Sequence, residues 1–148
     1  MRIKVLVKGD QIYVDTDKPL IKHHGIYMGD GSVIHFFREN KKAPTVISRT
    51  DIEVSRNGKT VNIVPYAPYL CFESDTVCFL ADFFLGQQRA GIGRHYDFIN
   101  FNCEHLAYLC KTGDFKSSQV DMAFDVLKGL ASIAAVVGLK LYYNGKRA

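Results

Sequence analysis

The chain has 148 residues, 47% apolar and 23% charged, with a formal net charge of +4, four cysteines and no tryptophan. That length and apolar content suit one compact folding unit and exclude a disordered chain, and no Gly-X-Y or heptad period runs through it. Four cysteines are too few for a disulfide scaffold and no secretory pattern opens the chain, so reduced thiols in a cytoplasmic setting are expected; the scattered lysines and arginines suit a solvated surface and imply no nucleic-acid partner.

In chain order, residues 3–7 alternate apolar positions as a strand does, Gly9-Asp10 breaks the run, and Ile12-Tyr13-Val14 resumes it before Pro19. Residues 21–28 and 32–37 flank Gly29-Asp30-Gly31, and residues 51–56 and 59–64 flank Asn57-Gly58. Both pairs predict antiparallel hairpins, the second because Asn-Gly suits a two-residue turn in which both central residues need positive φ. After Pro65 and Pro68 the pattern becomes helical. Ser74 can cap a helix carrying Val77, Leu80, Ala81, Phe84 and Leu85, closed by Gly86 or by Gly91 and Gly93. A glycine-bearing loop leads to Tyr96-Asp97-Phe98, and Asn102 can cap a second helix from Cys103 to about Lys111, ended by Gly113.

Residues 120–143 read as one long helix. Its uncharged stretch, 129–139, has 11 residues and covers about 16 Å, roughly half the ~30 Å of bilayer hydrocarbon, so it is too short to span simply. It is either a buried or partner-facing helix, or an interfacial helix whose basic end, with Lys140, Lys146 and Arg147, sits near anionic lipid. With no repeat or linker, the expected organisation is a catalytic domain over 1–119 and an apolar, basic helical extension over 120–148. The fold class is α+β, an antiparallel sheet with helices packed on it.

His23, His24 and His35 all fall in the first hairpin, so strand parity decides which of them share a face. A three-residue loop with Gly31 left-handed pairs Met28 with Ser32 and sets His35 opposite Gly25. His23 is then its diagonal neighbour on the same face. A two-residue loop would pair His35 with His24 instead. Glycines on both sides of Asp30 favour the first register. Histidines in a sheet are commonly surface or core residues, and Cys103 is what suggests chemistry here. It follows Asn102 at a helix start, where unsatisfied N–H groups and the helix dipole are expected to lower the thiol pKa and to receive an oxyanion. A thiol at a helix N-terminus facing a strand with an imidazole base is a papain-like arrangement, here with the imidazole first in the chain.

The run from His23 to His35, with His24-Gly25-Ile26-Tyr27-Met28-Gly29-Asp30-Gly31-Ser32-Val33-Ile34 between them, and the run Asn102-Cys103-Glu104-His105-Leu106 resemble the two signature boxes of lecithin retinol acyltransferase-like proteins. These belong to the permuted branch of the NlpC-type papain-like superfamily. Gly9-Asp10 with Ile12 resembles the strand start before the histidine box, and Cys110-Lys111-Thr112-Gly113 the helix end after the cysteine box. The resemblance covers about 9–37 and 75–113 and is weak beyond Gly113. It implies a circularly permuted papain-like fold, with Cys103 as nucleophile, His23 as general base and His35 as the polar residue that orients His23. His24 reads as structural, His105 as packing or capping, and Tyr27 as a pocket-lining or core residue. Cys71, Cys78 and Cys110 read as packing residues without a zinc spacing, and no cofactor or metal is implied.

The chemistry implied is covalent acyl transfer through a Cys103 thioester, with phospholipid acyl chains as donors and phospholipase A or acyltransferase outcomes. Residues 120–147 would then meet a membrane surface peripherally. Two alternatives stand beside it: a cysteine peptidase or amidase of the same superfamily, and a non-catalytic interaction module. An apolar groove beside Cys103 would favour lipid, and a polar open cleft would favour peptide.

Overall fold

The turn at Gly29, Asp30 and Gly31 sets the register on which the site depends. Gly31 has a φ of 84°, in the left-handed region that glycine tolerates without a side-chain penalty, and the Met28 amide donates to the Ser32 carbonyl at 2.9 Å. This is the expected three-residue loop, and the strands it joins pair Gly25 with His35, Ile26 with Ile34 and Tyr27 with Val33. The phenol of Tyr27 braces the loop by accepting from the Gly31 amide at 3.2 Å.

The computed structural model describes residues 5–91, 95–97 and 102–114. Among these the strands are β1 (Gln11–Asp15), β2 (Lys22–Tyr27), β3 (Ser32–Phe37), β4 (Val46–Asp51) and β5 (Asn62–Ile63). They form one antiparallel sheet in the order β4-β3-β2-β1-β5. Helices α1 (Ile52–Arg56), α2 (Ser74–Arg89) and α3 (Cys103–Thr112) complete an α+β fold. The expected extension, 120–148, lies outside the described residues.

Two expectations are corrected. No hairpin forms around Asn57-Gly58: residues 52–56 are helical, with the Asp51 carboxylate accepting from the Glu53 amide at the N-terminus and Asn57, at φ 46°, ending the helix. A left-handed residue suits a helix C-cap as well as a tight hairpin, and the cap at Asp51 makes it the former here. The strand beside β3 is instead β4, whose six residues pair with β3 from Ser32↔Asp51 to Phe37↔Val46. Near the N-terminus, residues 5–7 are not in a strand; the Val7 amide donates to the Asp10 carboxylate at 3.0 Å and closes a turn.

The helices bury one stripe each, as amphipathic spacing dictates. Val77, Cys78, Ala81 and Leu85 of α2 and Cys103, Leu106, Ala107 and Cys110 of α3 pack with Ile26, Ile34, Phe36 and Ile47 of the sheet. Helix α2 begins at Ser74, one position before the expected boundary, and runs through Gly86 to Arg89. Because side chains alternate along a strand, the face bearing Ile26 and Ile34 meets these helices. His23, Gly25 and His35 belong to the other face.

Candidate active site

The absence of a side chain at Gly25 lets two imidazoles meet on that face. A Cβ built there would come within 2.5 Å of Val33 Cγ1 and 3.1 Å of His35 Cβ, so the space beside His35 stays open to its diagonal neighbour. His23 enters it, and its Nε2 lies 2.7 Å from His35 Nδ1, the rings meeting edge to face. His35 Nε2 in turn lies 2.8 Å from the Thr50 hydroxyl on β4. His35 is fully buried, and desolvation, with His23 beside it, lowers its pKa to about 3. Burial also lowers the pKa of His23. Both rings are therefore neutral at pH 7, and the ring nitrogen of His23 not engaged by His35 is Nδ1.

Cys103 reaches the same strand from the helix side. Asn102 caps α3 by accepting from the amides of Glu104 and His105, each at 3.0 Å, and the His105 ring accepts from the Asn102 amide at 3.1 Å, a reciprocal capping box. The reading of His105 as a capping residue is thus met. This cap fixes the first turn, and the Cys103 thiol lies 3.6 Å from the Lys22 carbonyl, its acceptor. Pairing of β2 with β3 stops at Gly25↔His35, and the sulfur engages the main chain just past that point. The structure thus brings His23 and His35 together, and it brings Cys103 to the residue before His23, hydrogen-bonded to backbone rather than to an imidazole nitrogen.

The protonation of the thiol differs from expectation. Main-chain amides of His24, Glu104 and Cys103 favour the thiolate, as a helix N-terminus should. Burial outweighs them, and with the Glu104 carboxylate nearby the pKa rises to about 11. Desolvation of the anion is the larger effect because Cys103 is only 8% exposed. At pH 7 the site holds a neutral thiol and a neutral imidazole.

His24 lies on the helix-facing side of β2. Its Nδ1 is 3.0 Å from Gln11 Nε2, and the Tyr66 hydroxyl donates to Gln11 Oε1 at 2.6 Å. Burial lowers its pKa to about 4 despite Glu104 nearby, so it is a neutral core residue, in keeping with the structural reading. Neither this network nor Thr50 is visible in the sequence, because β4 and the Tyr66 segment are brought there by tertiary packing. Cys78 and Cys110 are buried and Cys71 partly so, all three with free thiols. Among the described residues no group of three or more His, Cys, Asp or Glu side chains converges as a metal site would.

On the open face, His23 and His35 line a cleft of about 570 Å³ with Val14 and Phe37, rimmed by Asp17, Arg38, Glu39, Arg56 and Lys59. A second cleft of about 410 Å³ shares Phe37 and Glu39 and is lined by Ala43, Pro44, Val46, Ser48 and Thr50. Cys103 lines neither; it approaches from behind the sheet. Among the described residues, no helix is long and apolar enough to cross a membrane.

Compared with known proteins, residues 4–116 match the family model described as lecithin retinol acyltransferase. No curated protein matches the chain.

Proposed function

The chain belongs to the lecithin retinol acyltransferase family, whose members are acyl-transferring, lipid-modifying enzymes, and from that premise we propose a thiol-dependent acyltransferase or phospholipase A that acts through a thioester on Cys103. The observation that carries this reading is the 2.7 Å bond between His23 Nε2 and His35 Nδ1. His23 Nδ1 is not used by that bond, and the thiol of α3 engages the adjoining residue of the same strand, which supports pairing the two in the reaction.

The reaction starts from the neutral pair. The reaction requires the Cys103 thiol to leave the Lys22 carbonyl and reach His23 Nδ1; catalytic hydrogen bonds often form fully only when substrate is present. As sulfur attacks the acyl carbonyl carbon, its proton passes to His23 Nδ1, and His35 stabilises the imidazolium through Nε2–H. Asn102 already occupies the amides of Glu104 and His105, so the oxyanion falls to the Cys103 amide at the helix N-terminus. Collapse of the tetrahedral intermediate breaks the ester C–O bond, and the leaving alkoxide takes the proton from His23. Water or an acceptor hydroxyl or amine then resolves the thioester, with His23 again as base. The apolar side chains of Phe37, Ala43, Pro44 and Val46 in the smaller cleft, which Glu39, Ser48 and Thr50 also line, offer a surface for an acyl chain, and the charged rim suits a polar headgroup. A membrane surface, met peripherally through residues 120–147, would present such a substrate.

The charged rim also favours a second reading, a peptidase or amidase with the same nucleophile and base. Phospholipid vesicles carrying labelled acyl chains, assayed beside a peptide amide library, separate the two. Wild type should yield labelled fatty acid or acylated acceptor, and Cys103→Ala none. Cleavage confined to peptides would select the second reading, and no turnover of either would reject both.

A further inference from the structure

We propose that Thr50 is a positioning residue that sets the tautomers of His35 and His23, and so decides whether His23 Nδ1, the base nitrogen of the proposed reaction, carries a lone pair. A neutral imidazole has one N–H and one lone pair, so in a chain of rings the direction of every bond follows from its end. Here the end is on β4. The Thr50 hydroxyl has one hydrogen, and it donates to the Asp51 carbonyl at 3.2 Å. Toward His35 Nε2, 2.8 Å away, that oxygen can then only accept, so Nε2 carries the ring hydrogen and Nδ1 the lone pair. The 2.7 Å bond between the rings is then donated by His23 Nε2–H, and His23 Nδ1 is left unprotonated.

The diagonal position matters. Ser48 lies directly opposite His35 in the β3–β4 register, yet its hydroxyl donates to the Val46 carbonyl at 3.4 Å; the acceptor for His35 is Thr50. Burial of His35 makes the choice stringent, because a buried ring N–H left without an acceptor is costly. Valine at position 50 keeps the shape and removes the acceptor. His35 then gains by moving its hydrogen to Nδ1, where His23 Nε2 can accept it, and His23 must carry its own hydrogen on Nδ1, which blocks the base.

The effect on rate rests on the acyl-transfer reading, but the tautomers do not. The experiment is ¹⁵N NMR of the imidazole nitrogens at neutral pH in wild type, Thr50→Val, Thr50→Ser and Ser48→Ala, with no substrate present. Nε2–H on both rings in wild type, Thr50→Ser and Ser48→Ala, and a shift of both to Nδ1–H in Thr50→Val, is the result expected. A wild-type His35 protonated on Nδ1, or unchanged tautomers in Thr50→Val, would overturn the proposal. The wild-type spectrum decides even if the valine variant fails to fold. With an activated ester as acyl donor, Thr50→Val should lose about 10²-fold or more in kcat/KM, the scale of a general base, and Thr50→Ser should recover it. Shifted tautomers without any such rate loss would leave the positioning intact and count against the acyl-transfer reading.

Discussion

At Cys103 three main-chain amides and a helix N-terminus favour the thiolate, and burial opposes them and wins, taking the pKa to about 11. At His23 burial favours the neutral ring. The two shifts agree: transferring the proton at rest would create two charges where the protein solvates them poorly. Thiol and imidazole are thus both neutral at rest, unlike the resting ion pair of a papain-type cysteine, whose pKa lies near 3–4, and the proposed mechanism would charge them only during attack. This difference has a measurable sign. Alkylation of Cys103 by iodoacetamide should accelerate steadily as pH rises through neutrality, without an acid plateau. A plateau extending below about pH 5 would mean a preformed thiolate and would contradict the neutral pair. Which histidines meet was partly legible in the sequence: the glycines around Asp30 favour the register that puts His23 and His35 on one face, and the strand pairing decides for it. The protonation of the thiol was not, since it depends on how deeply tertiary packing buries the sulfur.

At the scale of elements, the β2–β3 hairpin is what the sequence encodes most directly. Gly31 sets the loop, the loop sets the register, and the register puts Gly25 opposite His35. A Gly25→Ala substitution tests the chain of dependence. Its Cβ would meet Val33 Cγ1 at 2.5 Å, so overpacking should cost about 1–3 kcal/mol in urea unfolding. It should also disturb the pairing of His23 with His35, lowering acyl-transfer activity; unchanged stability and activity would show that the glycine is incidental. Helix α3 was legible for the same kind of reason, since Asn102 and Gly113 mark its two ends. The segment over 46–58 was not. Asn57 can end a helix or turn a hairpin, and only the Asp51 cap and the pairing of β4 with β3 decide between them. Missing β4 also hid Thr50, so the partner of His35 had no signal of its own.

Across the whole molecule, the buried histidines couple stability to pH. His24 and His35 are held at about 4 and about 3 in the folded state, against an ordinary value near 6.5 when unfolded. The unfolded chain therefore binds these protons first as pH falls, and stability is lost from about pH 6.5 down towards pH 3–4. The expected thermal unfolding midpoint is level above pH 7 and declines through that window. A midpoint indifferent to pH between 7 and 4 would mean that the rings are not buried as neutral groups. The proposed chemistry joins the two hydrogen-bonded imidazoles of the open face to a thiol that meets the same strand from the helix-packed side. Its central claim is a covalent acyl-enzyme at one sulfur. The most direct test is intact-protein mass spectrometry after acid quench of a reaction with acyl-labelled phospholipid, followed by peptide mapping. The expected result is one acyl adduct, labile to hydroxylamine as a thioester is, located on Cys103 and strongly reduced in His23→Gln; an unmodified Cys103 during turnover, or an adduct on another residue, would contradict the claim.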